Sequence, residues 1–99
     1  MLLIREVFFC KPGQVRPMVE KFKAMNAVME RMALGRMRIM TDLSAERYWT
    51  VVAEFEVKSM REFEEMMSNP AQGKEFETVM KGYHEFVDSG RREIYTIEQ

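Results

Sequence analysis

Apolar residues recur along the chain with two periods that alternate, one suited to strands and one to helices. Residues 2–10, LLIREVFFC, are β-branched, aromatic and aliphatic without a breaker, and read as a strand. Lys11-Pro12-Gly13-Gln14 reads as a turn. Over about 14–33, Val15, Met18, Val19, Phe22, Met25, Met29 and Met32 fall at three- and four-residue steps, one helical stripe. Pro17 is tolerated in the first turn, and Gly35 supplies a stop. Residues 36–42 and 48–57 then read as a hairpin around Leu43–Arg47.

The second hairpin strand, YWTVVAEFEV, alternates. Trp49, Val51, Ala53, Phe55 and Val57 share one face; Tyr48, Thr50, Val52, Glu54 and Glu56 share the other. A tight register pairs Thr41 with Trp49, Ile39 with Val51 and Met37 with Ala53, and sets Arg36 opposite Glu54. Ser59-Met60-Arg61-Glu62 is a capping box that opens a short helix over about 60–68. Asn69-Pro70 restarts the chain as a helix over about 70–88, burying Phe76, Val79, Met80, Tyr83 and Val87. Ser89-Gly90 ends it, and 91–98 form a last strand.

This order predicts an α+β domain spanning 1–99: a ferredoxin-like βαββαβ plan with a four-stranded antiparallel sheet and helices on one face. The first strand is apolar on both faces, with Leu2, Ile4 and Phe8 on one and Leu3, Val7 and Phe9 on the other. A bare sheet face does not carry that much apolar surface in water, so the pattern predicts a homodimer through the helix-free face.

Composition narrows the function classes. The 99 residues carry a formal charge of −1, without the basic excess of a general polyanion binder. Residues 51–57 lack glycine and include two acids, unlike the third strand of an RNA-binding domain of this plan, so no nucleic-acid partner is expected. The single cysteine, Cys10, excludes an internal disulfide and a Cys-pair metal site, and reads as a small buried hydrophobe. An early Arg5-Glu6 and the lack of a long apolar run predict a cytoplasmic chain with no membrane partner. Eleven methionines invite a copper reading, but Met18, Met25, Met29, Met32 and Met80 fall on apolar helix stripes, where methionine is an adaptable core filler.

The candidate chemistry is sparse. His84 is the only histidine and the one side chain that titrates near neutrality unperturbed. It is the candidate catalytic residue, as a general base or a haem ligand, against the alternative of a boundary histidine. Trp49, Tyr83 and Tyr95 combine apolar bodies with polar tips and are the candidate substrate-binding residues, against plain core packing. Arg31, Arg36, Arg38 and Arg47 form a candidate patch for an acidic small molecule, with Glu46, Glu54 and Glu56 nearby to neutralise it.

The Lys11-Pro12-Gly13-Gln14 turn, the hairpin ending YWTVVAEFEV and the Ser59…Phe63…Ser68…Phe76 helix pair resemble the dimeric α/β-barrel superfamily over the whole chain. That group includes antibiotic-biosynthesis-monooxygenase-like proteins, haem-degrading monooxygenases, muconolactone-isomerase-like enzymes and stress-responsive barrel proteins. The resemblance implies two sheets paired into a barrel, with a pocket in each subunit between sheet and helices. It implies a small-molecule-binding homodimer that carries out cofactor-independent oxidation or isomerisation of an aromatic or polyketide-like compound. A non-catalytic ligand-binding or regulatory dimer is the alternative. Haem binding is the second alternative; the haem-degrading branch uses a first-strand Asn, a Trp and a His, of which only His84 falls in a comparable element.

Overall fold

In a computed structural model of residues 1–99, strand β1 (Leu2–Cys10) leads to helix α1 (Val15–Arg31), then strands β2 (Arg38–Thr41) and β3 (Thr50–Val57). Helices α2 (Met60–Ser68) and α3 (Pro70–Met80), a 3-10 turn at Tyr83–Glu85 and strand β4 (Val87–Thr96) complete the chain. The strands form one antiparallel sheet in the order β2-β3-β1-β4. This is the ferredoxin-like βαββαβ arrangement, with α2 and α3 together filling the second helical position.

The helices cover the face that carries the even residues of β1 and the odd residues of β3. Met18, Val19, Phe22 and Met29 of α1 pack there against Cys10, Val51 and Ala53. Phe63 and Met66 of α2 pack against Ile4 and Val57. The α2 cap forms as the sequence predicts: the Ser59 hydroxyl accepts the Glu62 N–H. The Glu62 carboxylate reaches back one residue further than expected and accepts the N–H of Lys58. Asn69 caps α3 by accepting the N–H groups of Ala71 and Gln72.

Three expectations are corrected. The hairpin register is displaced by two residues: Arg38 pairs with Glu54 and Ile39 with Ala53. Side chains keep their faces, because a shift of two preserves the pleat. Asn26 of α1 explains the late start of β2. Its side chain accepts the N–H of Met37 and donates to the Met37 carbonyl, so Met37 is bound to the helix before the ladder begins. Arg38, not Arg36, then meets Glu54.

The second correction concerns Tyr48 and Trp49, which lie in the β2–β3 loop and not in the strand. Trp49 has φ 62, a left-handed conformation outside the extended range of a regular strand. The third is the last helix, which stops at Met80 instead of 88; Gly82, at φ 84, turns the chain. β4 therefore starts at Val87, four residues early, and Ser89-Gly90 lies inside it. A side chain at Gly90 would put Cβ 2.6 Å from a Phe8 ring carbon and 2.8 Å from the Val7 carbonyl oxygen, so β4 passes β1 only with glycine there.

Candidate functional site

Between the sheet and the helices the core leaves an apolar cavity of about 170 Å³. Phe8 and Phe55 floor it from the sheet, Phe22 and Met29 wall it from α1, and Phe63 and Phe76 from α2 and α3. Phe8 stacks on Phe22 with ring centres 5.5 Å apart, and Phe55 meets Phe63 at 6.1 Å. An engineered apolar cavity of about 150 Å³ stays dry and takes a benzene ring, so this space has the size of one ring.

Its one polar element is an ion pair. Glu6 and Arg92 are register partners on β1 and β4, and Arg92 donates to the Glu6 carboxylate at 2.5 Å. The Arg92 guanidinium lies 5.0 Å over the Phe63 ring. Sequence reasoning passed over both residues. The available signal was parity: Glu6 is the one charge among the core-facing positions Leu2, Ile4, Glu6, Phe8 and Cys10.

The four residues singled out from the sequence do not converge on this cavity. Tyr83 stacks behind Phe8 at 5.7 Å, and His84 lies against Tyr83 at 4.0 Å. His84 is exposed and borders an open surface depression with Lys74, Thr78 and Gly82. Trp49 is half-exposed in the β2–β3 loop, where its carbonyl accepts the Cys10 N–H. Tyr95 stands on the opposite, helix-free face, half-exposed, donating its hydroxyl to Glu93. Cys10 is a buried free thiol, and burial pushes its pKa up, with Asp42 and Asp88 adding to the effect.

The helix-free face is built differently. A ladder of charges crosses all four strands at one level. Glu54, only 3% exposed, accepts from Arg38 of β2 and from Arg5 of β1. Arg5 reaches on to Glu93 of β4, which also accepts from Arg91. Burial alone would raise the Glu54 pKa; the hydrogen bonds from Arg38 and Arg5 outweigh it and hold the carboxyl below its ordinary value. The hydrogen bonds from Arg91 and Tyr95 lower Glu93 likewise. Beyond the ladder, the β2–β3 loop folds over the end of the sheet that carries Val7 and Phe9. Arg47 lies 4.3 Å over the Phe9 ring, and Arg91 lies 5.4 Å from it. Val7 and Phe9 are consequently buried within one chain. Of the four arginines of the candidate basic patch, Arg31, Arg36 and Arg38 each pair with a glutamate, and Arg47 alone does not.

No protein-family model and no curated protein matches this chain. Solved structures do. A protein of Agrobacterium tumefaciens superposes with a TM-score of 0.80 at 9% identity, over 100% of this chain and 95% of that one. A NIPSNAP family protein of the same organism gives 0.77 at 9% identity, over 96% and 90% of the two chains. A candidate antibiotic biosynthesis monooxygenase of Deinococcus radiodurans gives 0.69 at 7% identity, over 100% and 94%. The ferredoxin-like fold expected for the single chain is the one these proteins share. No helix is long and apolar enough to cross a membrane.

Proposed function

We propose that the chain binds a small aromatic compound between its sheet and its helices. The observation that carries this reading is the 170 Å³ cavity, walled by phenylalanine and methionine with a single ion pair at its edge. Methionine walls adapt to the outline of a ring. Arg92 can donate to a polar substituent, and Glu6 can accept from one. The likeness to a candidate antibiotic biosynthesis monooxygenase extends the reading to oxidation, and the resemblance drawn from the sequence extends it to cofactor-independent oxidation or isomerisation of an aromatic or polyketide-like compound. In this reading Glu6 takes the proton-handling role that the sequence alone suggests for His84, because Glu6 lines the cavity and His84 does not. The reading concerns a single ring and not haem, because this cavity lies below the roughly 300 Å³ at which sites for drug-sized ligands begin.

A thermal-shift titration with p-cresol, one ring bearing one hydroxyl, tests the binding. At a hundredfold excess over Kd the ligand stabilises the fold by about 2.7 kcal/mol. Met25→Trp fills the cavity and abolishes the shift; an unchanged shift in that variant removes the cavity from the reading. Oxygen uptake or product formation with the bound compound, lost in Glu6→Gln, separates an enzyme from a non-catalytic binder.

The homodimer belongs to the same reading, with its contact narrowed. The loop occupies the Phe9 end of the helix-free face, while at the other end Tyr95 is half-exposed and its register partner Leu3 is partly buried. Light scattering on the native chain then gives twice the monomer mass, and Leu3→Asp combined with Tyr95→Asp halves it.

A further inference from the structure

The β2–β3 loop roofs a second pocket, of about 310 Å³, on the helix-free face. Val7, Val52 and Met40 form its apolar floor, and Arg47 and Asp42 stand on its loop side. This pocket shares no wall with the cavity between sheet and helices.

Its charges are compensated with one exception of each sign. Arg5 is paired with Glu54 and Glu93, and Arg91 with Glu93 and Glu46. Arg47 has no carboxylate within ion-pair distance; its guanidinium rests on the Phe9 ring with its N–H groups free. Asp42 has no cation partner. One of its carboxylate oxygens accepts the Thr50 N–H at 2.8 Å, and the Asp42 N–H donates to the Thr50 carbonyl at 3.2 Å. This reciprocal pair closes the base of the loop. The same Thr50 donates its hydroxyl to the Arg47 carbonyl at 2.8 Å. Thr50 therefore anchors both uncompensated residues to the rim of the apolar floor.

We propose that this pocket binds a small zwitterion, an α-amino acid with an apolar side chain. The carboxylate takes the fork of Arg47, the ammonium group takes the free oxygen of Asp42, and the side chain lies on Val7, Val52 and Met40. A monoanion or a monocation leaves one of the two charges without a partner. The volume sits at the lower end of the roughly 300–1,000 Å³ range of small-molecule sites. This inference goes beyond the proposed function, because it concerns a different pocket and a different chemistry.

L-phenylalanine, followed by backbone-amide NMR with Trp49 fluorescence as a second signal, is the test. The expected result is saturable binding with shifts confined to residues 40–50 and to Val7–Phe9. 3-Phenylpropanoate and phenethylamine, each lacking one charge, should bind about tenfold or more weakly. Arg47→Gln and Asp42→Asn should each weaken L-phenylalanine by a similar factor; Asn keeps the oxygen that accepts from Thr50, so the loop base survives. Absence of saturation at millimolar ligand overturns the proposal. So does equal binding of phenylalanine and 3-phenylpropanoate, or shifts that map to Phe22, Phe63 and Phe76 in the other cavity. Failure here leaves the p-cresol result untouched, and the reverse holds as well.

Discussion

The two faces of the sheet start from the same strand and reach burial by opposite means. On the helix-covered face, Ile4 and Phe8 meet apolar side chains from three helices, and one ion pair stands at the edge of a ring-sized cavity. On the other face, Val7 and Phe9 are equally apolar, yet arginines and the eight-residue β2–β3 loop cover them. The first face gains from removing apolar area from water, at about 25 cal/mol per Å². The second depends on guanidinium groups placed over a ring and on a buried carboxylate with two donors. Apolar alternation on both sides of a strand therefore has more than one solution. A partner chain is one, and the chain's own loop is another.

This contrast can be broken at three strengths. Phe22→Ala acts on the helix-covered face, where Phe22 is buried and stacked on Phe8. It should lower unfolding free energy by about 3–5 kcal/mol in urea denaturation. A loss no larger than that from the helix-free face would remove the asymmetry between the faces.

Glu54→Ala comes next. It leaves Arg5 and Arg38 without their shared acceptor and should cost about 1.5–3 kcal/mol, near the lower figure because both arginines reach solvent. The same carboxylate gives the second face a pH signature. Its folded-state pKa lies below the ordinary 4.5, so its contribution is full above that value and is lost as pH falls through the folded pKa. Acid unfolding curves of the native chain and of Glu54→Ala should converge below pH 4.5, and curves that stay parallel would deny Glu54 this role.

The smallest effect is that of Arg47→Gln. Its cation–π contact with Phe9 is worth about 0.5–1 kcal/mol at an exposed site, so the variant should stay folded with nearly unchanged stability. Combined with the loss of amino-acid binding, that result separates a recognition role for Arg47 from a structural one.

The chain's periodicities were sufficient for the element order, the α2 cap and the faces of β1 and β3. These depend on neighbours three or four residues apart in helices and two apart in strands, and such relations are written locally. Glu6 was visible as a charge among core-facing positions, but its partner Arg92 is 86 residues away and faces it only through the β1–β4 register. The same limit applies to the hairpin. Arg36 and Arg38 offered Glu54 equivalent partners, and the grip of Asn26 on Met37 chose between them. His84, Trp49, Tyr83 and Tyr95 were chosen for their chemistry, which one sequence displays. Whether such groups share a space depends on where helix α3 stops, where β4 begins and which face a residue takes. By itself, then, the sequence determined the βαββαβ plan, because secondary structure and facing follow from local period. Only the tertiary structure decided what lies over each face, because loop placement and strand register are settled by contacts between residues far apart in the chain.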